Sequence, residues 1–254
     1  MKIFKIFLKK IIQIFFPATC FYCQKIISYD GLFCKECYLK IKFISPIKCI
    51  ICSLPFKKQQ FFSKQSICIN CLTKKPFYDE THVIYVYNYI IGQAILDLKF
   101  KDKTYIAYKI ANFMKINFKN IIEENDYIIS VPMHYKRLRN RKFNHANLIA
   151  RNICSRKYLI NLLLRQKNNP AQLGLKRNKR KKNLRKTFVV NPKYLDQIKD
   201  KKILLIDDVM TTGTTLNYCA KALKKCMVKK VTVIVFAKTL EKSYHYIKGY
   251  NIDR

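Results

Sequence analysis

The chain has 254 residues, half of them hydrophobic, enough for one sizeable core with a smaller module beside it. It holds 51 Lys and Arg against 15 Asp and Glu, a formal net charge of +36 that attracts polyanions such as nucleic acid, anionic lipid or phosphorylated small molecules. No apolar stretch is long enough to span a bilayer, and abundant Lys, Ile and Asn with 5 Gly and no Trp also fit AT-rich coding DNA, a second source for the charge.

Residues 1–16, MKIFKIFLKKIIQIFF, do not read as a signal peptide, because Lys5, Lys9 and Lys10 interrupt the apolar run and no small-residue cleavage site follows. Lys2, Lys5, Lys9 and Gln13 share one helical face, and Phe4, Phe7, Leu8, Ile11 and Phe15 another. The spacing predicts an amphipathic helix docked on the protein, with peripheral membrane contact as the alternative.

Pro17 ends that helix, and residues 17–78 form a cysteine-rich module. Eight of the eleven cysteines fall in four Cys-x-x-Cys pairs: Cys20/Cys23, Cys34/Cys37, Cys49/Cys52 and Cys68/Cys71. This pattern argues against a secreted disulfide scaffold and for metal in a reducing, cytoplasmic setting. Two such hairpins complete a tetrahedron about 2.3 Å around Zn²⁺, so eight thiolates supply two closed, structural sites. Each site would stabilise its fold by roughly 10–16 kcal/mol. Sequential pairing assigns Cys20, Cys23, Cys34 and Cys37 to one site and Cys49, Cys52, Cys68 and Cys71 to the other. A cross-braced pairing, iron–sulfur ligation and redox disulfides stay open, as does whether the ribbons touch DNA or protein or only brace their neighbour. Cys154, Cys219 and Cys226 lie in helical patterns and read as small core residues.

Residues 79–254 read as an α/β domain. Strands are expected at 82–89, 126–131, 201–206 and 230–237, and helices at 92–118, 143–157 and 214–225. Strands apolar on both faces, alternating with helices, predict a mainly parallel sheet covered on both sides. Residues 165–188 lack periodicity and form a long loop of the kind that is often functional. Within it, residues 176–186 carry eight cations and no acid.

The strand at 201–206 runs into Asp207 and Asp208, then Val209-Met210-Thr211-Thr212-Gly213-Thr214-Thr215. Two like charges side by side are a costly way to end a strand, so the stretch asks for a ligand. At the carboxyl edge of an open sheet the carboxylates accept hydrogen bonds from sugar hydroxyls. The threonine turn, entering a helix around one glycine, surrounds a phosphate with N–H and O–H donors. No Gly-Lys-[Ser/Thr] occurs, which argues against an NTPase P-loop; a dinucleotide glycine triplet and the further acids of a receiver pocket are missing as well.

IDDVMTTGTT resembles the phosphoribosyl-pyrophosphate (PRPP) motif of type I phosphoribosyltransferases. VPMHYKRLRNRKFNHA, from Val131 to Ala146, is similar to the VPxHxxRLRxRGFNQA stretch of the competence protein F (ComF, or GntX-like) family. Gln172, Leu175, Arg177, Arg180, Asn183 and Phe188 match its Q..L....R..N....F segment, and the cysteine pairs after Phe16-Pro17 fit its double zinc ribbon. The departures are Lys142 where the family usually has Gly, His145 where it has Gln, and Thr214 where Ala or Gly is common. The resemblance implies a type I phosphoribosyltransferase fold in which Asp207 and Asp208 hold the ribose and Thr211, Thr212, Gly213, Thr214 and Thr215 the 5′-phosphate of PRPP. Pyrophosphate, with Mg²⁺, would fall to Arg137, Arg139 and Arg141 and to the loop bearing Gln172 and Arg180. It also implies a role in natural transformation, with single-stranded DNA and DNA-uptake proteins as partners.

Overall fold

The computed structural model describes residues 17–29, 31–56, 65–100, 103–166 and 187–240. The expected helix at 1–16, and Gln172 and Arg180 in the basic loop, lie outside the described residues.

Four parallel strands form the central sheet: β1 (Glu80–Val86), β2 (Tyr127–Ser130), β5 (Lys202–Met210) and β6 (Lys230–Lys238), in the order β1-β6-β5-β2. The central pair is apolar on both faces, with Leu204, Leu205, Ile206, Val233, Ile234 and Val235 fully buried. Such strands are stable only between covering layers. A short antiparallel pair, β3 (Leu163–Arg165) and β4 (Phe188–Val190), brackets the basic loop.

Helices α3 (Tyr89–Phe100), α4 (Tyr105–Asn117) and α7 (His145–Ile153) cover one face of the sheet. The first two replace the single helix expected over 92–118. Ile91, Ile95, Leu98, Ile106, Ile110 and Met114 stay in phase across the charged residues between them, so periodicity alone does not reveal the break. α5 (Lys119–Glu124) leads into β2, and α6 (Tyr135–Arg141) follows it. On the other face, α8 (Leu195–Ile198) and α9 (Thr214–Lys224) pack with the β3–β4 pair. Among the described residues no helix is long and apolar enough to cross a membrane.

The cysteine module has little core of its own. Phe21, Ile27, Leu32 and Phe33 of the first ribbon join the core under α3, α4 and α7. Ile51, Phe56 and Tyr78 of the second join the opposite core under α9. Between the ribbons the chain runs along the edge of β1: Ile44 N–H donates to Ile84 O at 2.9 Å, and Val86 N–H to Lys42 O at 2.8 Å. This pairing occupies a strand edge that would otherwise be exposed, and it carries the chain from one face of the sheet to the other.

Candidate functional site

Each ribbon is built from the same local device. Cys20 N–H donates to Lys25 O and Cys49 N–H to Leu54 O, both at 2.8 Å, and the residue after each first pair, Gln24 or Ser53, takes a positive φ. The second pair of each site starts a short helix: Cys34 precedes α1 (Lys35–Leu39) and Cys68 precedes α2 (Ile69–Thr73). The sulfurs of Cys20, Cys23, Cys34 and Cys37 gather in one cluster and those of Cys49, Cys52, Cys68 and Cys71 in another, all within 4.8 Å of one another. Pairing is therefore sequential, and the cross-braced arrangement is not formed.

Two contacts measure the fit to a metal. Cys23 Sγ and Cys34 Sγ are 3.6 Å apart, and Cys52 Sγ and Cys68 Sγ 3.7 Å. A tetrahedron with bonds of about 2.3 Å has edges of about 3.8 Å, so both clusters have the size of a Zn²⁺ tetrathiolate. The neighbouring Cys49 sulfur pushes the Cys52 thiol up to about 12. Four adjacent thiolates need a cation to coexist, and Zn²⁺ supplies it. Of the three remaining cysteines, Cys219 is fully buried in the core as expected, while Cys154 and Cys226 sit half-buried at its margins.

The acid pair is placed by β5. The strand does not stop at Ile206, as its apolar run suggests, but continues to Met210, pairing Asp207 with Val235 and Met210 with Lys238. Alternation along an extended strand sends the two carboxylates to opposite faces. Asp208 is nearly buried, and its Oδ2 lies 2.7 Å from Lys99 Nζ at the end of α3. Asp207 is half-buried, and its Oδ1 accepts the Asp208 N–H at 2.9 Å. Burial, and then the Asp208 charge, push the Asp207 carboxyl up to about 8.

After Met210 the chain turns sharply. Gly213 caps α9 with φ 71°, ψ 5°. A Cβ there would meet Met210 Cε at 2.5 Å and Tyr78 OH at 3.1 Å, so glycine is required both for conformation and for space. Thr211 and Thr212 are exposed, and Thr212 Oγ1 lies 2.8 Å from Thr214 Oγ1. The first N–H groups of α9, around Thr214 and Thr215, have no intrahelical acceptors. Thr214 N–H donates to Thr212 Oγ1 at 3.4 Å, and these hydroxyls and amides lie at the positive end of an 11-residue helix, a chemistry suited to an anion.

The segment that the sequence assigns to pyrophosphate follows β2. Val131 N–H donates to Ile206 O at 3.0 Å, and Asn144 caps α7 while its Nδ2 donates to Val131 O at 3.0 Å. Arg137, Arg139 and Arg141 lie on α6. Arg139 points to solvent, whereas the Arg141 guanidinium sits 4.8 Å over the Phe100 ring, next to Lys99. Lys142 takes φ 59°, the left-handed conformation that glycine adopts without strain, so the backbone path expected of the glycine is kept.

Lys99, Tyr78 and Lys238 escaped sequence reasoning, and His145 entered it only as a departure from the family pattern. Lys99 sits in an ordinary amphipathic helix with nothing local to single it out. His145 is buried, and desolvation pushes its imidazole down to about 4 against the pull of Asp208, which keeps it neutral at pH 7. Its Nε2 has no hydrogen-bond partner among the described residues.

Two family models match the chain: a double zinc ribbon domain over residues 11–79 and a phosphoribosyl transferase domain over residues 159–251. The chain is 27% identical to competence protein F of Haemophilus influenzae, over 86% of this chain and 96% of that one. It is 24% identical to competence protein ComFC of Bacillus subtilis, over 81% and 85% of the two chains. It is also 25% identical to the DNA utilization protein YhgH of Escherichia coli, over 68% and 78%. Two four-thiolate ribbons set on a parallel sheet of the phosphoribosyltransferase kind, and likeness along almost all of its length, make this chain a member of the ComF family.

Proposed function

We propose that the protein binds PRPP and transfers its phosphoribosyl group to an acceptor with release of pyrophosphate. The observation that carries this reading is the pairing of Asp207 and Asp208 with the Gly213-capped threonine turn at the carboxyl edge of β5. Lys99 compensates only Asp208, so the acid pair keeps acceptor capacity that hydroxyl donors would fill, and a ribose offers such donors next to a 5′-phosphate.

In the reaction the C1–oxygen bond to pyrophosphate breaks, the electron pair leaves with pyrophosphate, and the acceptor's nucleophile closes a new bond to C1. The residues orient the sugar, spread the phosphate charge over N–H and O–H donors, and bring cations to the leaving group. Lys99, ion-paired with Asp208, and Arg141, over the ring of the adjacent Phe100, are described side chains that would offer positive charge, and Gln172 and Arg180 are further candidates for the pyrophosphate. Mg²⁺, for which the acid pair offers hard oxygen ligands, supplies further neutralisation of pyrophosphate when bound.

Calorimetric titration with PRPP tests this reading: the Asp207→Asn/Asp208→Asn protein should keep its zinc and its fold and lose PRPP binding. Equal affinity in parent and variant sinks the assignment.

A second reading concerns partners. The names of the relatives, competence proteins and a DNA utilization protein, together with a net charge of +36, favour single-stranded DNA and DNA-uptake proteins as partners of a cytoplasmic protein, with PRPP as a regulatory ligand.

A further inference from the structure

Lys238 is buried at the last residue of β6, and no step proposed above uses it. Its ammonium donates to the carbonyl of Cys52 at 2.7 Å and lies 3.8 Å from Met210 Sδ. Met210 in turn fills the space beneath Gly213. A second arm leaves the same four-cysteine site through Cys71. Six and seven residues on, Phe77 N–H donates to Asn217 Oδ1 in α9 at 2.6 Å, the Phe77 ring lies 4.9 Å from Lys221 Nζ, and the Tyr78 hydroxyl stands against Gly213. Tyr78 is itself buried in the core shared by the second ribbon and α9.

Among the described residues the first ribbon makes no such contacts. It touches α3 and α4, through Tyr22 on Tyr89 at 5.4 Å, Phe21 on Tyr105 at 6.2 Å, and the Gly31 carbonyl, which accepts from Lys109 Nζ at 3.3 Å.

We propose that Lys238 and Tyr78 are positioning residues that couple the second four-cysteine site to the threonine turn. Metal held by Cys49, Cys52, Cys68 and Cys71, and not by the first site, then sets the affinity of the turn for a sugar 5′-phosphate. The physical reason is that the turn's own contacts are exposed ones between Thr212 and Thr214, while its buried support comes from beneath. Thr211 and Thr212 are exposed, and the side chains nearest Gly213 among the described residues are Met210 and Tyr78, each tied to the second ribbon. The Cys52 carbonyl stays where Lys238 needs it only while the Cys49/Cys52 knuckle is closed on its ion. Four thiolates around Zn²⁺ also leave excess negative charge, which a buried ammonium at this place offsets. Closing the second site therefore removes freedom from the turn before ligand arrives, which is preorganisation.

This inference rests on the phosphate reading of the turn, so the test carries one readout that needs no ligand. In full-length, zinc-loaded protein, amide hydrogen exchange across residues 211–216 and titration with ribose 5-phosphate are compared among parent, Lys238→Met, Lys238→Arg and Tyr78→Phe. Lys238→Met should keep two zinc ions per chain, speed exchange in the turn, and weaken ribose 5-phosphate binding about tenfold, with Lys238→Arg restoring most of it. Selective loss of zinc from the second site, through Cys49→Ser, should reproduce the effect; loss from the first, through Cys20→Ser, should leave the turn unchanged. Unchanged exchange in Lys238→Met, or an equal response to loss of either ion, overturns the coupling. A parent protein that binds no ribose 5-phosphate, with exchange still responding to Lys238→Met, sinks the phosphate reading and the affinity half of the proposal while leaving the mechanical link.

Discussion

Asp207→Asn should make the unliganded protein more stable, and by an amount that depends on pH. Asparagine keeps the size of the side chain and keeps an oxygen to accept the Asp208 N–H, now at 2.9 Å. What it removes is a charge that burial and Asp208 both oppose, the causes that raise the carboxyl from 3.8 to about 8. An unfolded chain releases this proton near pH 4, whereas the folded chain holds it until about pH 8. Between those values the native state binds more protons than the unfolded one, so native stability falls as pH rises. A shift of about four units, at about 1.4 kcal/mol each, sets an upper bound of about 5–6 kcal/mol. Partial exposure and the Lys99 ion beside the pair reduce this, and about 2–3 kcal/mol is the expected gain at pH 8. Urea unfolding followed by circular dichroism at pH 4.5, 6, 7 and 8, with zinc present, measures it directly; the chain has no Trp to report by fluorescence. The gain should grow steadily over that range and approach zero toward pH 4. A variant no more stable than its parent at pH 8 would refute the claim that Asp207 is held at a cost for the sake of a ligand.

Two backbone positions yield predictions of opposite sign. Gly213→Ala should cost about 1–3 kcal/mol, because a left-handed alanine is strained and its Cβ presses on Met210 and Tyr78; the melting temperature and ribose 5-phosphate affinity should fall together. Lys142→Gly should stabilise by about 0.5–1 kcal/mol, since φ 59° costs lysine strain that glycine avoids, less the entropy glycine loses on folding. A thermal melt that leaves Lys142→Gly below its parent would contradict this.

The zinc ribbons were legible in the sequence because a Cys-x-x-Cys hairpin is a local object: two ligands on one turn need no distant partner to be recognised. The spacing left the pairing open, and it was decided only when Cys34 and Cys68 each came to head a helix beside the preceding knuckle. The parallel sheet was legible for a similar reason, since strands buried on both faces leave an unbroken apolar run at 203–206 and 233–237. The continuation of β5 through Asp207 and Asp208 was hidden, because charge interrupts an apolar pattern without interrupting backbone pairing.

By itself, then, the sequence determined the chemistry on offer: eight thiolates in two sets, an acid pair, and a threonine turn around one glycine. Only the tertiary structure decided what stands next to that chemistry. Lys99 meets Asp208 from a helix more than a hundred residues earlier, and Tyr78 and Lys238 bring the second zinc site up against Gly213. Such contacts arise from how strands order in a sheet and which core each ribbon joins. They depend on long-range packing, which leaves no periodic or spaced trace along the chain.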